Sequence, residues 1–188
     1  MTQQAFDEDG FYNFGDALKF VDPTDVNKGF LFDGRFSEDF KLASGTWASV
    51  GPLRSRILCH FAPYVRDVVI TGHDRDDVGM LIFADADACR ALCPQLDCEA
   101  PAAEIFSHQS VHAHFEGLLE SASANSTGSS TRVTRAIIME EPPSLDAGEI
   151  TDKGSLNQRA VLDRRAAIVD ELYAPQPSSR VLRVKTSH

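Results

Sequence analysis

An α+β domain is the fold class this sequence predicts, and three features of its patterning predict it. The first fifty residues are rich in aromatic side chains broken by turn residues, which favours extended chain. Beyond them, short β-branched runs alternate with segments whose apolar residues recur at helical spacing. The chain has no internal repeat, and its 188 residues have room for one ordinary domain or a compact domain with a short arm. The expectation is a small sheet and about three to four helices behind an N-terminal β-hairpin arm.

Taken in order, residues 11–22 form a strand that ends in Asp22-Pro23-Thr24-Asp25, where proline presets the turn backbone. The chain returns as a strand through Gly29-Phe30-Leu31-Phe32 and closes at Asp33-Gly34. A second hairpin-like stretch over 36–50 bends at Ser44-Gly45. After Gly51-Pro52, residues Leu53, Ile57, Leu58 and Phe61 take helical spacing, and Pro52 suits a first helical position. The runs 65–71 and 78–83, separated by a polar stretch, predict a paired hairpin. A short helix over 87–97 and a loop around 101–103 follow. A helix over about 107–123 places Val111, Phe115, Leu118 and Leu119 on one face. Residues 121–131 form a Ser/Thr/Asn/Gly loop, 132–139 a strand stopped by Glu141-Pro142-Pro143, 148–154 a polar loop and 157–173 one final helix. The Pro/Ser-rich and then basic stretch 176–188 predicts a flexible tail.

Composition narrows the function classes. Hydrophobic residues make up 43% and charged residues 24%, enough apolar side chains for a buried core. A net charge of −10 and a pI near 4.9 argue against a surface that collects phosphate backbones, so no nucleic-acid partner is expected. No apolar run approaches the roughly 18 residues of a membrane span. The N-terminus lacks the basic start and apolar core of a secretory signal, and a cytoplasmic location is the default expectation. The four cysteines are then expected reduced, with Cys59 suited to a core as a small hydrophobe. A metal cluster can be drawn from Cys89, Cys93, Cys98, His108, His112 and His114. Its cysteine spacings are not those of zinc motifs, and His112 and His114 face apart on a helix, so no metal site is expected.

Three features could carry chemistry. Asp16 follows Gly15 at the end of an aromatic run, where a carboxylate could hold a pair of hydroxyls; its alternative is an ordinary turn aspartate. Arg35 follows Gly34, and its planar fork suits hydroxyl or phosphate contacts; its alternative is a surface arginine. Lys153 lies in the Gly-flanked loop Gly148-Glu149-Ile150-Thr151-Asp152-Lys153-Gly154, which could aim an ammonium at an anion; its alternative is a solvated charge. The stretch Ser126-Thr127-Gly128-Ser129-Ser130-Thr131 has no Pro-Lys and runs into a strand, so it reads as a surface loop and not a phosphate cradle.

Together these segments, in this order, resemble a family. Phe11-Tyr12-Asn13-Phe14-Gly15-Asp16, then Asp33-Gly34-Arg35-Phe36-Ser37-Glu38-Asp39-Phe40-Lys41-Leu42 with Ser44-Gly45, then Thr151-Asp152-Lys153-Gly154 with Arg159, is similar to the last three motifs of the AMP-forming acyl-CoA synthetases. The wording around Glu38-Asp39-Phe40-Lys41-Leu42, Val50-Gly51-Pro52-Leu53 and Thr151-Asp152-Lys153-Gly154-Ser155 resembles bacterial feruloyl-CoA synthases. The likeness runs from about residue 5 to 173. It implies the small C-terminal domain of an adenylate-forming ligase, with 1–36 a β-rich arm left over from the end of the large domain and 37–175 a small mobile domain.

The resemblance also implies roles. Asp16 would grip the ribose hydroxyls of ATP, Arg35 would contact the same nucleotide, and Lys153 would meet the carboxylate and α-phosphate during adenylation. Ser37 takes the hinge position, where the family commonly has Asp or Lys, and Gly45 the loop that forms a channel for the CoA thiol. Lys153 lies six residues before Arg159, where the family usually has Ser-Gly-Lys with an arginine three residues later. ATP with magnesium and CoA are implied for the complete enzyme, together with a carboxylic acid, plausibly a hydroxycinnamate. The phosphate loop, adenine pocket and acyl pocket of such enzymes belong to the N-terminal adenylation domain, the implied partner. Three states of the chain follow as expectations: part of an acid:CoA ligase inactive by itself, a noncatalytic truncated remnant, or a separate small subunit that binds a large-domain partner.

Overall fold

The computed structural model describes Phe6 and residues 8–185; the first five residues and residue 7 of the expected arm, and 186–188 of the expected tail, lie outside the described residues. The fold is α+β. An antiparallel ribbon comes first, β1 (Asp16–Phe20) against β2 (Phe30–Arg35), with Phe20 opposite Phe30 at its closed end. A short hairpin of β3 (Phe40–Lys41) and β4 (Trp47–Ala48) leads into helix α1 (Val50–Phe61). The main sheet has the order β5 (Val65–Thr71), β6 (Val78–Ala84), β7 (Val133–Ile138), β8 (Val181–Arg183). β6 and β7 run parallel, joined through α2 (Ala86–Arg90), α3 (Ala102–Ser107) and α4 (Gln109–Ala124); the other pairs are antiparallel. Helices α5 (Gln158–Arg164) and α6 (Ala166–Leu172) lie between β7 and β8 in sequence.

Alternation along the strands divides the core in two. Val68, Ile70, Met80, Ile82, Ala136 and Ile138 point to the side covered by α1 and α4, where Leu53, Ile57, Phe61, Val111, Phe115 and Leu119 are buried. Val69, Leu81, Phe83, Ile137 and Met139 point the other way, against Val161 and Leu172 of α5 and α6. Strand β6 is buried along its whole length, because strands flank it and helices cover both faces. Successive residues of one strand therefore serve opposite layers, as the twofold period of a strand requires.

Several expectations are corrected. The expected flexible tail supplies β8: Val181 and Leu182 are buried and pair with Ile137 and Ala136. The final helix is two helices, broken at Arg165, whose backbone stands at φ −101°, ψ 26°. The helix expected over 87–97 stops at Arg90, with Pro94, which has no N–H and disfavours helical backbone before it, in the turns that follow. The loop expected at 101–103 opens α3 behind Pro101. The α-helices thus number six rather than three to four among the described residues. Cys59 is exposed on α1, and Cys89 and Cys93 fill the core role assigned to it; all four cysteines are free. No helix among the described residues is long and apolar enough to cross a membrane.

Candidate functional site

The β1–β2 register sets Asp16 opposite Arg35. The Asn13 side-chain oxygen accepts from Gly15 N at 2.9 Å, and Phe36 N donates to Gly15 O at 3.0 Å, so both backbones are fixed where the two side chains leave them. Arg35 Nε stands 3.7 Å from Asp16 Oδ1, with the side chains 58% and 37% exposed. An ion pair this loose and wet is worth little to stability, which leaves both groups free to exchange each other for a ligand's hydroxyls or phosphates. Behind them, Gly34 has φ +113°, and a Cβ on Gly51 would lie 2.6 Å from Gly34 Cα. Only two glycines facing each other allow β2 to pass this close to the first turn of α1.

Ser37 follows in a turn closed by Glu38 N donating to Arg35 O at 3.0 Å. Asp39 Oδ1 then accepts from Val50 N at 2.8 Å and so caps α1 from eleven residues upstream, whereas the adjacent Ser49 makes no side-chain cap bond. Burial raises the Asp39 carboxyl above its ordinary value, against the lowering effect of the Val50 N–H. Burial likewise raises Glu38, with the Arg35 guanidinium opposing it. Gly45 forms the tip of the β3–β4 hairpin at φ +82°, its N–H donating to Leu42 O at 2.8 Å. The hairpin is tied to the sheet by Asp74 N to Lys41 O and Ala43 N to Arg75 O, at 3.0 and 2.9 Å.

Lys153 is at the exposed tip of a tight turn. Ile150 and Leu156 bridge its stem, Thr151 N donates to Ser155 O at 2.8 Å and Gly154 N to Thr151 O at 2.8 Å. Among the described residues Lys153 has no ion pair. The turn rests on Glu149, whose side chain is 0% exposed and receives Arg165 Nε at 2.7 Å and Nη2 at 2.8 Å, Ser144 N at 2.7 Å and Arg164 Nη1 at 3.2 Å. The Arg165 hydrogen bonds hold the Glu149 carboxyl down at about 2, overcoming the burial that would raise it. Sequence reasoning passed over this pair. Its signal was available: in the sequence Arg165 falls at helical spacing from Val161 and Leu172, and a cation in line with apolar residues needs an anion.

Arg35 and the stem of the lysine turn border one cleft of about 500 Å³, lined by Arg35, Glu38, Gly51 and Arg54 together with Ser155 and Leu156 but not by Lys153 itself. Asp16 lies outside that cleft, on a shallow concavity of about 270 Å³ with Tyr12, Asn13 and Phe14. Ser37 faces a different groove, with Trp47, His73 and Arg159, and Gly45 borders neither. The geometry therefore brings Asp16 and Arg35 together and sets the stem of the Lys153 turn on the same cleft as Arg35. Arg159 points away, 83% exposed and 3.9 Å from Asp163. Among the described residues no group of three or more His, Cys, Asp and Glu is arranged to hold a metal ion.

A family model described as AMP-binding enzyme C-terminal domain matches residues 40–177. Among solved structures, the A domain of carboxylic acid reductase from Segniliparus rugosus, in complex with AMP and a co-purified carboxylic acid, is similar at 22% identity and a TM-score of 0.68 over 92% of this chain and 25% of that one. The A-PCP didomain of the same reductase, in complex with AMP, is 25% identical with a TM-score of 0.62, over 92% of this chain and 22% of that one. An anthranilate CoA ligase in complex with anthranoyl-AMP shares 15% identity and a TM-score of 0.51 over 88% of this chain and 25% of that one. The chain thus spans about a quarter of the length of these proteins. No curated protein matches the sequence.

Proposed function

The chain belongs to the AMP-binding enzyme C-terminal domain family, and from that premise we propose that it works as the small mobile part of an ATP-dependent, AMP-forming carboxylic acid:CoA ligase of the feruloyl-CoA synthase type. In this reading residues 1–36 are a β-rich arm continuous with an N-terminal adenylation domain, 37–175 rotate about Ser37, and the partner domain brings the phosphate, adenine and acyl pockets. Asp16 and Arg35 bind the nucleotide, one at the ribose hydroxyls. Lys153 stabilises charge on the carboxylate and α-phosphate, where a fixed cation in a closed site acts most strongly. The Gly45 hairpin then lines the approach of the CoA thiol. Magnesium belongs to the ATP chemistry, and no residue of this chain is assigned to it.

The observation that carries this reading is the strand register that sets a carboxylate and a guanidinium opposite each other, with the stem of a lysine turn lining the adjoining cleft. The test is Lys153→Ala in the chain joined to its adenylation domain. Acyl-adenylate formation is expected to fall by about 100-fold or more, while thioester formation from supplied adenylate is retained. Equal losses in the two steps reject the role of Lys153.

The likeness to reductase A domains favours a second reading, in which the same adenylation feeds a reductase and the accepting thiol is not free CoA. The two readings separate on the acceptor: release of a CoA thioester supports the ligase.

A further inference from the structure

Resting on the role given above to Lys153, we propose that the buried Glu149–Arg165 ion pair is a clamp that fixes the lysine turn, which makes Arg165 a positioning residue for Lys153. Between Met139 and Gln158 the chain leaves the core, and Glu149 is the one buried residue of that excursion. The segment that carries Lys153 is therefore held to the body by a fully buried carboxylate on one side of the turn, with only the partly buried Leu156 packed against the core on the other.

Arg165 is built to hold the start and the middle of the excursion at once. Its Nη1 donates to Glu141 O at 3.0 Å and its Nη2 to Pro142 O at 2.9 Å, while Nε and Nη2 engage Glu149. The guanidinium lies over the Phe83 ring at 5.1 Å, so the sheet supports it from below. A planar fork bonded to one carboxylate and two carbonyls fixes direction as well as distance, which a methyl group in the same space would not. From Glu149 the constraint passes up the stem: Asn157 N donates to Glu149 O at 2.8 Å, Ile150 bridges Leu156, and Thr151 and Ser155 close the turn below Lys153. The break between α5 and α6 falls at Arg165 itself, so the helix gives up its continuity where the side chain makes these bonds.

The test is limited trypsin digestion of the full chain, comparing cleavage after Lys153 with cleavage after Lys28 in the arm. Arg165→Met leaves a buried carboxylate unpaired and can unfold the chain, so the decisive variant is the double substitution Glu149→Leu with Arg165→Met, which removes both charges. It is expected to keep the cooperative unfolding transition and to raise cleavage after Lys153 by about tenfold or more while cleavage after Lys28 stays constant, because proteolysis follows the population of the locally open form. A folded double variant with unchanged cleavage after Lys153 overturns the clamp, and so does an equal rise at both sites. Selective cleavage at Lys153 combined with undiminished adenylation by Lys153→Ala keeps the clamp and rejects the ligase role of the lysine. Unchanged cleavage with impaired adenylation rejects the clamp alone.

Discussion

Gly51 and Gly34 meet across a gap no side chain can enter. Alanine at Gly51 would put its methyl carbon 2.6 Å from Gly34 Cα and 3.0 Å from Asp33 O, both backbone atoms that cannot swing aside. Gly51→Ala is expected to cost about 1–3 kcal/mol, read as a lower urea midpoint, with β1–β2 amides exchanging faster than those of β6; a midpoint equal to wild type would show that the arm does not depend on this contact. Other single residues differ in how legible they were. Asp16 and Arg35 stood out because each follows a glycine in an aromatic stretch, but only the ladder shows that they face each other. Asp39 could not be read as the cap of α1, since capping rules look to the residue beside the helix, and this carboxylate arrives from eleven residues upstream through the fold of the β3–β4 hairpin.

At the scale of elements, periodic patterns were legible and their ends were not. The β5–β6 hairpin and α4 follow from β-branched runs and from apolar residues at helical spacing, signals that many residues share. The break at Arg165 had no glycine or proline to announce it, because its cause is a set of acceptors on other segments. Strand β8 was hidden for a related reason: three residues after a Pro/Ser-rich stretch are too few to carry a period, and they are a strand only because β7 offers an open edge. Deleting residues 180–188 removes two buried aliphatic side chains at Val181 and Leu182, a loss of roughly 3–5 kcal/mol. The truncated chain is expected to melt well below the full one by circular dichroism, and an unchanged melting temperature would show that this edge strand contributes nothing.

The whole molecule is a packed body carrying an apolar ribbon that stays largely exposed among the described residues. Phe11, Tyr12, Phe14, Phe30, Phe32 and Phe36 are each more than half exposed, on or beside the strands that carry Asp16 and Arg35. Two charged groups on an open ribbon, one beside a cleft and the other on a separate shallow concavity, do not make a nucleotide pocket. The 188-residue chain alone is expected to bind ATP more weakly than about 1 mM, measured by titration calorimetry; micromolar binding would mean that the ligand site is complete within this chain.

Periodicity and turn residues by themselves determined that this is an α+β domain and where its main strands and longer helices run, while Asp16, Arg35 and Lys153 were joined as a set only by the order of motifs that resembles a family. Those features are local, and a stretch of chain carries them wherever it goes. Tertiary structure alone decided that Asp16 faces Arg35, that Asp39 caps a distant helix, that 181–183 complete the sheet, and that the lysine turn stands on Glu149 and Arg165. Each of these depends on which group meets which across a separation in sequence: the strand register selects the partner of Asp16, and packing selects the others, where local pattern does not.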